Sequence, residues 1–247
     1  MLCSYPRSGS TWTRFLLFGL TSADQAATFA SVGHDLPYVG RHANSAATLP
    51  GNGRLIKTHE PYIDRYRRMV HLVRDPRDVV VSYWTFMQRI GKVELRPGDD
   101  EVASFDRFID AFLDGRVDGF TNWSHHLNSY LRAAEERPDD VLRVRFEDMR
   151  ADTPAALARI GRFLGLEVTT DDAQRATEAG SLESMHRRED EAIATESTPF
   201  AVAGRRSGIR AVQSGSVGGW RNRLTDAQVR KFDVFAKDME RVGYSIE

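Results

Sequence analysis

Residues 69–73, MVHLV, form a continuous apolar run that stops abruptly at the polar block RDPRD of residues 74–78. So short and apolar a run is the pattern of a strand buried on both faces, not of one that alternates between core and water. Pro76 suits the first turn of a helix, and Asp75 or Asp78 complements that helix's positive end. Val79, Val80, Tyr83 and Met87 follow at a spacing that gives the helix one apolar face. A strand buried on both faces has to be covered by helices on each side. The unit therefore commits the chain to an α/β fold: a central, mostly parallel sheet flanked by helices.

The rest of the chain repeats this alternation. Leu2–Tyr5 reads as the remnant of a strand and residues 11–20 as the helix after it. RLIKT (Arg54–Thr58) and VLRVRF (Val141–Phe146) read as further strands. Helices are expected around Phe105, Ile109 and Phe112, and over Trp123–Leu131. Another runs from Thr153 as N-cap, with Pro154 at the first helical position, to Gly165 at its end. The last helix opens with the capping box TDAQ of residues 225–228. Two segments break the pattern. Residues 33–53 carry the Gly, Pro, Asn and small side chains of an irregular surface segment. Residues 187–218 are polar, Gly-rich and without periodicity, the signature of a disordered stretch or of a lid over a site.

A chain of 247 residues suffices for one sizeable domain, here spanning 1–247, and no break demands a second. The formal net charge of −1 excludes a fold-wide attraction for nucleic acid, so any anion site must come from local arrangement. The single cysteine, Cys3, rules out an intramolecular disulfide framework and fits a reducing compartment. The apolar part of RFLLFGLTSA (Arg14–Ala23) is short and broken, and cleavage after it as a signal peptide would discard the polar loop before it. No apolar stretch is long enough to cross a bilayer. The expectation is a cytoplasmic protein, and the richness in Ala, Arg and Asp is compatible with a bacterial source of high genomic GC content.

In an open parallel sheet, ligands sit outside the carboxyl ends of the strands. Three polar clusters fall there, at residues 6–12, 57–59 and 74–78, and should converge on one crevice. The first lies in SYPRSGSTW (Ser4–Trp12), a Gly-containing turn between strand and helix. It has neither the Lys before the final Ser or Thr nor the longer Gly spacing of a Walker loop. Backbone N–H groups of residues 8–11 at a helix start make an anion site, with Arg7 and Lys57 adding charge beside it. Arg74, with Ser82 two turns into the next helix, supplies forked donors for a second, separate phosphate. Trp12 offers an aromatic face to a purine, while Asp75 and Asp78 read as helix-start residues rather than a magnesium site. Such a set suits a nucleotide phosphorylated at both ends of its ribose better than ATP.

YPRSGSTW, KTHEP, LVRDPRDVVVSYW and GSVGGWRNRLT, in this order, resemble the signature blocks of sulfotransferases that use 3′-phosphoadenosine 5′-phosphosulfate (PAPS). VLRVRFEDM and GFTNWSHHLNSYL resemble less strict segments of the same family, so the likeness runs from about Ser4 to about Thr225. The resemblance implies PAPS as co-substrate, adenosine 3′,5′-bisphosphate (PAP) as product, no metal, and a small molecule with a hydroxyl group as acceptor. By it, Arg7, Ser8, Gly9, Ser10, Thr11 and Trp12 form the loop that holds the 5′-phosphosulfate, with Trp12 against adenine. Arg74 and Ser82 match the pair that recognises the 3′-phosphate, His59 the catalytic base, and Lys57 the cation near the transferring group. Phe146, Ser181 and Leu182 stand near further adenine contacts, and Tyr83, Phe86 and His126 near the acceptor. One block departs: the family's Arg-Lys-Gly reads Gln213-Ser214-Gly215, and the Asp of its Gly-Asp-Trp is Gly219. With Ser214 and Gly215 kept at the cofactor, the missing arginine leaves Arg205, Arg206 and Arg210 as substitutes, Arg210 being nearest.

Each of these residues also has a plainer reading. Trp12 alone is a core aromatic, His59 a loop histidine bonded to backbone, and Arg74 a partner for Asp75 or Asp78 of small energetic value. His125 and His126 are adjacent on a helix, face different directions and make a poor chelate for zinc. Two rival functions remain. A nucleotide kinase of the same broad fold requires a Walker Lys that PRSGSTW lacks, and a non-catalytic nucleotide-binding module has no need of His59 or Arg7.

Overall fold

The three residues of β1 (Leu2–Ser4) lie between two parallel neighbours, which makes them the axis of the sheet. The computed structural model describes every residue except 23–26, 94–97, 99, 196–202, 204 and 247. From β1 the chain passes through α1 (Ser10–Thr21) and α2 (Phe29–Asp35) to β2 (Lys57–Thr58) on one side. It then crosses to β3 (Met69–Val73) on the other side, and β4 (Val141–Arg145) completes the parallel order β2-β1-β3-β4. Leu2 is level with both Lys57 and Val70, so the loops after β1, β2 and β3 emerge together. All five residues of β3 are buried, as an unbroken apolar run requires.

The helices after β3 are α3 (Pro76–Arg89), α4 (Glu101–Leu113) and α5 (Trp123–Glu136). After β4 come α6 (Phe146–Ala151), α7 (Thr153–Leu164), α8 (Thr170–Ala179) and α9 (Leu182–Thr195), and the chain closes with α10 (Asp226–Arg230) and α11 (Ala236–Arg241). One face of the sheet buries Val73 with Val80, Ile109, Phe112, Trp123 and Phe235. The other buries Leu2, Val70 and Val144 with Phe15, Leu16, Ile160 and Ala176. This is the expected α/β sandwich of helices around a parallel sheet.

Local differences from the expected elements have local causes. RLIKT is a strand only at Lys57–Thr58, because its outer partner is the irregular stretch 37–39, which bonds to Lys57 through Pro37 O and Val39 N. Asp152, not Thr153, caps α7 by accepting from Ala155 N, and the Thr153 hydroxyl donates instead to Met149 O at the end of α6. The segment expected to lack periodicity from 187 onward is helical as far as Thr195. Its inward positions are Met185, Glu189 and Ala192, and the buried Glu189 interrupts the apolar stripe that would have announced it. The middle of the expected lid, residues 196–202 and 204, lies outside the described residues. The Thr225–Gln228 capping box and the left-handed Gly165 stand as the sequence implies.

Beneath the sheet, His71 of β3 stacks on Tyr130 at 4.4 Å, and His126 of α5 lies 5.6 Å from His71 and 5.8 Å from Tyr5. Burial holds His71 well below the ordinary imidazole range and takes His126 down to about 3. The unfolded chain binds those protons near pH 6.5, so stability is complete above that pH and falls as the pH drops toward the folded values. Each such histidine contributes a slope of about 1.4 kcal/mol per pH unit. Urea unfolding between pH 7.5 and 4.5 should show the decline, and His126→Phe should flatten it by about one proton; an unchanged slope would contradict the assignment.

Candidate active site

The three strand-end clusters face one cavity of about 570 Å³ at the carboxyl edge of the sheet. It opens beside β1, where the chain departs first to one neighbour and later to the other, the position such sheets use for ligands.

The loop after β1 turns sharply because Arg7 (φ 67°) and Gly9 (φ 95°) both adopt left-handed backbone. Gly9 then caps α1 without a side chain, leaving the first-turn amides of Ser10, Thr11 and Trp12 with no intrahelical acceptor. A Cβ on Gly9 would sit 2.5 Å from Cδ2 of Phe146, so glycine is required by backbone and by space alike. The Ser8 hydroxyl is buried and has no partner among the described residues.

Cations crowd the cavity wall. Arg7 donates through Nε to the Ser82 hydroxyl (3.2 Å) and through Nη2 to Ala211 O (3.1 Å), above the Phe86 ring. Burial, then the charge of Arg74, lowers its pKa to about 10, which leaves it charged at neutral pH. Lys57 donates to the Tyr38 hydroxyl at 2.7 Å, and burial followed by the charges of Arg14 and Arg7 holds it well below the usual lysine range. Arg74 donates to Arg7 O (3.2 Å) and Ser216 O (3.0 Å) and lies 4.4 Å from the Phe146 ring centre. Its Nε is buried without a partner among the described residues. Asp75 pairs with Arg77 at 2.7 Å, which leaves Arg74 to the cavity.

His59 carries its own tautomer assignment. Nδ1 lies 2.7 Å from the carbonyl oxygen of Ser4, which can only accept, so Nδ1 bears the proton and Nε2 keeps a free lone pair. Burial and the Lys57 charge push the ring well below pH 6.5, opposed by the Ser4 bond. The ring lies edge-on to Tyr38 and Phe120, both on the cavity wall.

At the opposite end, the Trp12 indole N–H donates to Gly180 O at 2.8 Å, and its ring meets Phe146 edge-on at 5.7 Å. Arg150 lies over it at 5.3 Å. The roof is residues 211–219, fastened by Asp78, whose carboxylate accepts from Gly218 N (2.8 Å) and Trp220 N (2.9 Å). Asp78 thus does more than serve the start of α3.

Of the residues singled out in the sequence, Arg7, Gly9, Ser10, Thr11, Trp12, Lys57, His59, Arg74, Ser82, Tyr83, Phe86, Phe146, Leu182, Ser214 and Gly215 line this cavity. Four do not. Ser8 is buried beneath the loop, and Ser181 spends its hydroxyl on Ser184 N at the start of α9. Arg210 turns outward to Asp190 and His186 O, so the ion pair, not the cavity, claims it. His126 is packed among Tyr5, His71 and Tyr130 rather than on the wall. Tyr38, Asp118 and Phe120 line the cavity from segments 33–53 and 85–126, which were expected to shape the acceptor pocket without any one residue being marked, and Arg150 and Arg223 join them unforeseen. Among the described residues, no three His, Cys, Asp or Glu side chains cluster as a metal ion would need. Gly9→Ala should cost about 1–2 kcal/mol from the left-handed backbone alone, with the clash adding to it. Thermal unfolding should show Phe146→Leu restoring part of that loss; simple additivity of the two changes would deny the contact.

The family described as "Sulfotransferase domain" matches residues 1–243. Among similar proteins, flavonol 4′-sulfotransferase of Flaveria chlorifolia is 27% identical over 94% of this chain and 76% of its own length. Cytosolic sulfotransferase 1 of Danio rerio is 27% identical over 96% of this chain and 81% of its own. In fold, the chain resembles retinol dehydratase solved with retinol and PAP, with a TM-score of 0.70, 21% identity, and coverage of 96% and 79%. It also resembles a mouse sulfotransferase complexed with PAP, at a TM-score of 0.65, 22% identity, and coverage of 96% and 82%. With the family match spanning nearly its whole length, the chain belongs to the sulfotransferase family.

Proposed function

We propose that this enzyme transfers a sulfuryl group from PAPS to a hydroxyl of a small-molecule acceptor, with His59 as general base. The observation that carries the reading is the fixed tautomer of His59 in a cavity shared with the buried Lys57 and Arg74 and the half-buried Arg7. The residues fit the nucleotide: Arg74 Nε is a buried polar atom on the cavity wall without a partner among the described residues, and the left-handed Gly9 leaves the first amides of α1 without intrahelical acceptors beside Arg7 and Lys57. Arg7, Lys57 and the amides of residues 10–12 would hold its 5′ end, Arg74 and Ser82 its 3′-phosphate, and Trp12 with Phe146 its adenine. Bound there, the nucleotide supplies the sulfuryl group, whose departure leaves negative charge on the 5′-phosphate.

The chain's own part is positioning and charge. His59 takes the acceptor's hydroxyl proton at Nε2, and the Ser4 carbonyl steadies the imidazolium through Nδ1–H. Lys57 opposes that imidazolium, so proton uptake is favoured only as negative charge grows nearby. Arg7, Lys57 and the first-turn amides face that charge without needing to reorganise.

The acceptor side is walled by Tyr38, Tyr83, Phe86, Phe120 and Met185. Such walls favour a flat, largely apolar alcohol or phenol. Relatives named for flavonols, and a fold relative solved with retinol, belong to that chemical range. We place the enzyme in the cytoplasm with its cytosolic relatives; among the described residues no helix is long and apolar enough to cross a membrane. Of the expected lid at 187–218, residues 211–216 line the cavity and would cover the nucleotide.

His59→Ala should lower kcat by about 10²- to 10⁴-fold while PAP affinity by calorimetry stays within about twofold; retained turnover would remove His59 as the base. Because His59 is neutral well below the ordinary range, the acid limb of kcat/KM should lie below pH 6.5. Arg74→Met should weaken PAP by about tenfold or more yet leave adenosine 5′-phosphate unaffected. Equal losses for both nucleotides would move the 3′-phosphate elsewhere.

A further inference from the structure

Glu189 is 1% exposed, on a helix whose other inward residues are apolar. Its Oε1 takes Nη1 of Arg89 at 2.9 Å, and neither side chain of the pair reaches solvent to more than 1%. The carboxylate also accepts two backbone amides of the roof, Ala211 N on Oε1 at 2.7 Å and Val212 N on Oε2 at 3.0 Å. Arg89, for its part, donates to Ile209 O at 3.1 Å. The peptide unit joining residues 211 and 212 is therefore held from both ends. Its N–H points to Glu189, and its carbonyl oxygen takes Nη2 of Arg7 at 3.1 Å.

That peptide is a polar wire between a buried carboxylate and a cavity cation. Donating its N–H to a carboxylate polarises the amide and makes its oxygen a better acceptor. The oxygen in turn fixes one prong of the Arg7 guanidinium, while Ser82 fixes Nε. A carboxylate buried without direct contact to the cavity thus sets the direction of the group that faces the 5′ end of the nucleotide. We infer that Glu189, neutralised by Arg89, is a positioning residue for Arg7 and acts through the Ala211–Val212 peptide. The inference rests on the reading of Arg7 as a 5′-phosphate contact.

The experiment compares PAP with adenosine 3′-phosphate, which lacks the 5′-phosphate, in calorimetric titrations. Glu189→Gln keeps one acceptor but presents an NH₂ to the second amide, so it should weaken PAP about tenfold and adenosine 3′-phosphate less than twofold. In an Arg7→Ala background the same change should cost nothing further, since the group it orients is gone. Arg89→Met with Glu189→Met removes both charges together, which spares the fold the cost of an unpaired buried ion. That double variant should unfold at a higher temperature than Glu189→Met alone and show the same selective loss, and it carries the measurement should Glu189→Gln not fold. Equal weakening of both nucleotides, or a loss that adds to that of Arg7→Ala, would overturn the inference and leave Glu189 a fastening for the roof. Arg7→Ala alone sparing PAP would instead overturn the reading of Arg7.

Discussion

Parallel pairing of a three-residue strand with a neighbour on each side decides where this molecule places its charge. Because Leu2 is level with Lys57 and with Val70, the loops after β1 and β3 and the short strand β2 bring their polar residues to the same edge. Arg7, Lys57 and Arg74 are consequently gathered over one edge, at distances set by backbone hydrogen bonds and not by any attraction among themselves. Burial depresses the basicity of all three, and for Arg7 and Lys57 neighbouring arginines add to it. A fold bears such a cost where function requires it, and the large cores on both faces of the sheet offset it.

Dipoles rather than counter-charges hold these cations. Arg7 lies against the carbonyl of Ala211 and the hydroxyl of Ser82, Arg74 against two carbonyls, and Lys57 against a phenol. Carboxylates near the site are occupied elsewhere: Asp75 by Arg77, Asp78 by the roof amides, Glu189 by Arg89. The cavity thus keeps a net positive field in a chain whose formal charge is −1. Local arrangement, not overall charge, makes it a place for anions.

Much of this was legible in the sequence because it follows from chain-local rules. MVHLV could only be a doubly buried strand, Pro76 with Asp75 a helix start, and TDAQ a capping box. The clusters at 6–12, 57–59 and 74–78 could be assigned to one crevice from strand polarity alone. What escaped depends on partners distant in sequence. Helix α9 was hidden because its buried Glu189 looks like a surface residue until Arg89, a hundred positions earlier, is seen beside it. Arg210 seemed free to serve the cavity, yet Asp190 one helix away captures it. Tyr38 and Phe120 come from segments expected to shape the pocket, yet without periodicity nothing singles out these two residues as wall.

The roof is secured at two places, by Glu189 at residues 211–212 and by Asp78 at 218–220. Among the described residues, the span between has one tie to the body of the fold, the bond from Arg74 to the carbonyl of Ser216. Arg74 also keeps its Nε–H without a partner among the described residues. On the proposed binding mode, an arriving phosphate competes for the hand that holds the hatch shut. In that mode spent nucleotide would leave through a short arc of backbone bowing outward, with no helix unravelling and the sheet edge undisturbed.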